Sequence, residues 1–176
     1  YITSYYSPRW GFCLSFNEFK KLKKGTYKVK INSVLTDGSL TYGEVKLRGE
    51  SKKEIFLSTY VCHPSMANNE LSGPVVTTAL VKFLKSLKNR KYSYRVVFIP
   101  ETIGSITYTS RNIDDMKKNI IAGFNISCIG DDRCYSYIPS RYGNTLSDKV
   151  AKHVLKNIDY VEYSFLDRGS DERQYC

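Results

Sequence analysis

Three short stretches that are apolar almost without interruption constrain the fold of this chain more than anything else in it: 54–62 (EIFLSTYVC), 94–100 (YRVVFIP) and 120–130 (IIAGFNISCIG). A strand with one face in water alternates apolar and polar residues, whereas one apolar throughout must be covered on both faces. Helical patterns of the right length lie between these runs. Residues 73–89 (GPVVTTALVKFLKSLKN) place Val75, Val76, Leu80, Phe83, Leu84 and Leu87 at helical spacing, with Pro74 in the first turn, where its missing N–H costs nothing. A second helix is predicted from Ile103 to about Arg111, followed by a charged connection, IDDMKKN. Residues 146–158 (LSDKVAKHVLKNI) form a third, amphipathic helix that carries His153 as a structural residue, and 159–165 (DYVEYSF) a fourth strand. Strand and helix alternating in this way predict an α/β fold, a sheet sandwiched between helical layers.

The N-terminal part reads differently. Residues 1–19 are rich in aromatics and irregular, and Ser15 or Asn17 is placed to cap a short helix from Glu18 to Lys24, ended by Gly25. The stretch 26–35 (TYKVKINSVL) alternates, and an Asp37-Gly38 turn joins it to 39–47 (SLTYGEVKL), which predicts a hairpin. The expected division is therefore an α/β domain over 1–25 and 51–176, with 26–50 as part of a small inserted β subdomain.

The net charge of +10 raises the question of a nucleic-acid partner. The lysines fall in short runs (Lys20, Lys21, Lys23, Lys24; Lys82, Lys85, Lys88; Lys117, Lys118) between ordinary strand and helix patterns, without a basic arm or RNA-binding signature. They read as solvated faces, and no nucleic-acid partner is expected. No run approaches the roughly 20 apolar residues that span a bilayer, so no membrane partner is expected either. The five cysteines are odd in number and form no CxxC pair, which points to a reducing compartment and to the cytoplasm. The chain opens in mid-pattern without a methionine and is read as an internal stretch.

In open α/β sheets chemistry gathers where strands end at their carboxyl edge. The first buried strand runs into His63-Pro64 and the loop SMANNELSG, the second into Pro100-Glu101-Thr102, and the third into Gly130-Asp131-Asp132. One imidazole and several carboxylates leaving neighbouring strand ends are what a hydrolytic zinc site requires, with one coordination position kept for water. His63 is a candidate ligand, Glu101 a candidate base, and Asn69, Glu70, Asp131 and Asp132 are candidates to complete the shell. Each also has a structural reading: a hydrogen-bonded histidine, a helix-capping glutamate, aspartates in a turn. No GxSxG, GxGxxG or P-loop is present.

Taken together and in order, CHPSMANNELSGP, FIPETIGSITY, CIGDDRCYSY and GSDERQYC resemble a group of uncharacterised bacterial proteins with an aminopeptidase-like domain, related distantly to zinc-dependent exopeptidases of the aminopeptidase Y and Vibrio leucyl aminopeptidase type. The resemblance covers essentially the whole chain and implies a three-layer α/β/α sandwich with a mixed sheet and a small inserted β subdomain. It also implies roles. His63 matches a histidine ligand, and Asn69 stands where a metal-bridging aspartate is usual. Glu101 matches the general base, with Thr102 in place of a second glutamate, and Ser127 stands where another aspartate ligand is usual. GSDERQY is similar to the segment preceding a last histidine ligand, which would lie past Cys176. The expectation is a single zinc ion held by His63 with Asp131, Asp132, Asn69 or Glu70. Glu101 would act as base on an amide bond in a small peptide or amino-sugar, in polysaccharide biosynthesis. The alternative is a binding module that recognises such a molecule without cleaving it.

Overall fold

The computed structural model describes residues 8, 10–12, 14–63, 66–167 and 169–175. The chain divides into two compact units, 1–37 and 38–176. In the first, helix α1 (Phe16–Phe19) starts at Ser15, whose hydroxyl accepts from the Glu18 N–H while the Glu18 carboxylate accepts from the Ser15 N–H. This reciprocal capping box holds a helix shorter and earlier than Glu18–Lys24. Residues 26–35 carry no strand, and Val29, Ile31, Val34 and Leu35 are exposed. The expected hairpin is therefore absent among the described residues. Its second arm, β1 (Gly43–Leu47), pairs elsewhere, because Val45 and Leu47 there pack against a core. An alternating pattern specifies a strand only where a partner buries one of its faces.

The second unit is built on a four-stranded mixed sheet in the order β1-β3-β2-β4, where β2 is Ser51–Tyr60, β3 is Tyr92–Ile99 and β4 is Ile120–Asn125. The strands β2, β3 and β4 run parallel, and β1 closes one edge antiparallel to β3. Alternate residues of the central strands serve two cores. Phe56, Val97 and Ile99 pack with Tyr108 and Met116 of helix α3 (Ile103–Asn119). Leu57 and Val96, on the opposite face, pack with Leu84 and Val81 of helix α2 (Gly73–Ser86). Helices thus cover both faces, as the uninterrupted apolar runs require.

Several boundaries differ from the sequence reading. Helix α3 runs through IDDMKKN to Asn119, because Met116 turns into the core while Asp115 pairs with the buried Arg95 guanidinium. The packed face of α2 is Gly73, Thr77, Val81 and Leu84, whereas Val75 and Phe83 are exposed. Hydropathy does not flag that face, since it opens on a glycine and a threonine. A Cβ at Gly73 would fall 2.4 Å from the Ile126 carbonyl oxygen and 2.5 Å from Thr59 Oγ1, so α2 begins hard against β2 and the end of β4. Helix α4 (Leu146–Leu155) exposes His153, and the fourth strand candidate becomes β6 (Tyr160–Glu162). That strand pairs in parallel with β5 (Tyr135–Tyr137) in a separate two-stranded ribbon. No helix among the described residues is long and apolar enough to cross a membrane.

Candidate functional site

Parallel pairing puts the carboxyl ends of β2 and β3 on one edge of the sheet. Tyr60 lies opposite Ile99, and one further bond, from the Val61 N–H to the Ile99 carbonyl at 2.8 Å, ends the ladder. Cys62-His63 and Pro100-Glu101 leave from that rung, which brings His63 Nε2 to 3.7 Å from Glu101 Oε2. Glu70 arrives from beneath. It lies on a π-helical turn, Ala67–Ser72, fused to the start of α2. The wider turn is a form enriched at functional sites. Glu70 is 4% exposed, and its Oε2 accepts the Cys62 N–H at 2.6 Å. Its Oε1 accepts no hydrogen bond from any described residue and stands 4.0 Å from His63 Nε2. The Oδ1 of Asn69, on the same turn, is also buried and without a bond from a described residue.

A third segment closes the site. Tyr175 packs edge-on against Phe56, ring centroids 4.9 Å apart, and its hydroxyl meets that of Ser58 at 2.9 Å. This anchors Ser170 and Asp171 beneath the start of α3. The Ser170 hydroxyl donates to Glu101 Oε1 at 2.6 Å. Asp171, fully buried, accepts the Thr102 N–H at 2.7 Å and the Ser105 hydroxyl at 2.8 Å through Oδ1, while Oδ2 accepts from no described residue. Between Glu101 and α3 the backbone makes a γ-turn of the rare positive-φ kind. Thr102 has φ 62° and ψ −68°, and the Ile103 N–H returns to the Glu101 carbonyl at 2.7 Å. For a β-branched residue this conformation is strained by about 1–3 kcal/mol and persists only where neighbours enforce it. Asp171 is that neighbour, and its charge also meets the positive end of the α3 dipole.

The electrostatics follow from this crowding. Burial pushes the Asp171 carboxyl above its ordinary pKa, with Glu101 and Glu172 adding to the effect and the bonds from Thr102 and Ser105 opposing it. The Cys62 thiol is raised by burial first and then by Glu70, Glu101 and Asp171, against a hydrogen bond from the Glu101 backbone. Carboxylates outnumber cations here, and an added cation would relieve the imbalance.

His63 is too far from either glutamate for a hydrogen bond, yet its distance to each is one that an ion can bridge. With bonds of about 2 Å, two donors on one zinc lie at most about 4 Å apart. The donor atoms of Cys62, His63 and Glu101 lie within 4.8 Å of one another, the one such group of three among the described residues. The buried Oε1 of Glu70, 4.0 Å from His63 Nε2 and lacking a donor, fits the same need.

Of the residues selected from sequence, the structure brings together His63, Glu70 and Glu101, with Asn69 on the same turn. Asp131 and Asp132 do not join them. Beyond Asn125 the chain turns through Cys128 at φ 52° and crosses the π-helical turn, where the Ile129 and Gly130 N–H groups donate to Ser72 and Asn68. Asp131 is then taken up by Arg133, which contacts both its oxygens and lowers its pKa to about 2. With Asp132 it lines a neighbouring pocket of about 390 Å³ that also includes Ile129, Tyr135 and Asp159. Ser127 meets the buried Tyr60 hydroxyl, beside Cys128 Sγ at 3.5 Å. Pro64, Cys13 and Cys176 lie outside the described residues. Sequence reasoning missed Cys62, Ser170 and Asp171; the GSDERQY segment was the available signal for the last two.

A family model described as a domain of unknown function (DUF4910) matches residues 8–176. A Clostridium acetobutylicum protein carrying the provisional name of a polysaccharide biosynthesis protein with aminopeptidase-like domain is 49% identical over 99% of this chain. A crystal structure from Clostridium acetobutylicum, provisionally described as a peptidase, superimposes with a TM-score of 0.81 at 48% identity, covering 99% of this chain. The chain spans 40% of the length of the first and 42% of the second.

Proposed function

The chain belongs to the DUF4910 family of domains of unknown function, and we propose that its strand-end cluster is the centre of a metal-dependent amide hydrolase. The observation that carries this reading is His63 Nε2 flanked by Glu101 Oε2 at 3.7 Å and Glu70 Oε1 at 4.0 Å, with Glu70 buried and that oxygen unbonded. His63 and Glu70 are the primary donors to one zinc ion, with the Asn69 amide oxygen beside them. Asp131 and Asp132 are assigned to the neighbouring pocket, outside the donor set. When bound, zinc supplies Lewis acidity and lowers the pKa of a coordinated water towards neutrality.

Glu101 is the general base. Ser170 occupies its Oε1, which leaves Oε2 on the side of His63 to take a proton from water and return it to the leaving nitrogen. The γ-turn at Thr102 and the buried Asp171 fix the backbone from which Glu101 projects. The substrate class that fits is a short peptide or an amino-sugar amide, and the name of the Clostridium relative supports a precursor of a surface polysaccharide. Free thiols at Cys62, Cys128 and Cys134 support a reducing, cytoplasmic setting.

A second reading, a sugar- or peptide-binding module, is favoured by the neutral Asn69, Thr102 and Ser127 at positions where the resemblance leads one to expect carboxylates. The Glu101→Gln variant separates the two. In a screen of small amides with the full-length protein, turnover falls by about 10²–10⁴-fold in the variant while metal binding persists. Unchanged turnover removes Glu101 as base, and substrate binding without turnover in the native protein favours the module.

A further inference from the structure

We propose that Cys62 binds the same ion as a thiolate, joining His63 and Glu101 at one point, with Glu70 next to His63; this rests on the metal-centre reading above. In a continuing strand, successive side chains point to opposite faces. Cys62 and His63 escape that rule because the β2 ladder ends one residue earlier, at the Val61–Ile99 bond. Glu70 Oε2 then captures the Cys62 N–H at 2.6 Å and fixes the departing chain. The result is that Sγ of Cys62, a ring nitrogen of His63 and a carboxylate oxygen of Glu101 all lie within 4.8 Å of one another. Tetrahedral zinc holds sulfur and nitrogen donors about 3.5 Å apart, so an ion at this point draws the three atoms together.

The independent observation is Glu70, 4% exposed, whose unbonded Oε1 stands 4.0 Å from His63 Nε2. Cys62 itself is exposed, and its side chain fills no core. Three protein donors with one position left for water is the arrangement of a catalytic zinc site. A thiolate among them selects zinc or cobalt over magnesium and calcium, which favour oxygen-only shells.

The test is titration of the metal-free full-length protein with cobalt(II), followed by absorption. Native protein and Cys134→Ala develop a near-ultraviolet thiolate-to-cobalt charge-transfer band that saturates at one equivalent. In Cys62→Ser and Cys62→Ala the band is lost, visible ligand-field bands remain, and affinity falls at least about tenfold. Cobalt binding without the band in the native protein overturns the thiolate and leaves the metal centre standing. A band that survives Cys62→Ser assigns the sulfur elsewhere and also overturns it. No cobalt binding at all overturns both readings.

Discussion

Two buried carboxylates of the same compact unit, Asp148 and Asp171, sit at the starts of helices and meet opposite conditions. Asp148 is 2% exposed and accepts five hydrogen bonds, from the Tyr137 hydroxyl and from the backbone and hydroxyl of both Ser140 and Thr145. These bonds outweigh the burial that opposes them, and its pKa is driven well below the usual carboxylate range. Asp171 is equally buried, but only one of its oxygens is bonded, and its pKa moves up. Thr102, which it holds, sits in a strained turn, and the π-helical turn of the same site carries two more unbonded buried oxygens, on Asn69 and Glu70. A carboxylate whose every lone pair is met holds a fold together. One that crowds other carboxylates with oxygens to spare marks a place where the fold withholds satisfaction for a ligand.

Breaking the satisfied centre has the largest expected effect on stability. Asp148→Ala strands several donors at the junction of α4 and the β5–β6 ribbon, and denaturant unfolding should lose about 3–5 kcal/mol. An effect below about 1 kcal/mol would mean that the network is not structural. At the other centre the sign reverses. Thr102→Gly relieves the positive-φ strain and should raise stability by about 1 kcal/mol while lowering hydrolysis, because Glu101 loses its fixed mount. Equal or lower stability in that variant would show that the turn is unstrained.

The smallest effect is also the sharpest contrast. The Asp148 pKa is depressed in the fold, so its contribution is present above the unfolded value near 3.9 and is lost as pH falls through the folded value. The Asp171 pKa is raised, so its ionisation weakens the fold as pH climbs from about 3.9 through the folded value. In metal-free protein, the stability advantage of the native chain over Asp148→Asn should therefore shrink on acidification. The advantage over Asp171→Asn should grow, and at neutral pH the latter pair should differ by no more than about 1 kcal/mol. Parallel slopes for the two variants would erase the distinction.

What could be read from sequence follows the same division. The runs at 54–62, 94–100 and 120–130 announce β2, β3 and β4, because burial on both faces leaves an unbroken apolar record. His63, Glu70 and Glu101 were legible because parallel strands deliver their ends to one edge. The 26–35 segment misled because alternation describes a face without supplying its partner. The packed face of α2 was hidden by Gly73 and Thr77, and the last turns of α3 by charges flanking Met116. Asp131 looked available because nothing local reveals that Arg133 folds back onto it. Asp171 could be read only as part of the GSDERQY segment, because its partners, Thr102 and Ser105, lie 69 and 66 positions away.

The most direct test of the central claim is elemental analysis of the full-length protein and its His63→Ala variant after equilibration with zinc. The account predicts about one ion per chain in the native protein and loss of that ion in the variant, with the fold unchanged. Absence of bound metal from both, or equal metal in both, would contradict it.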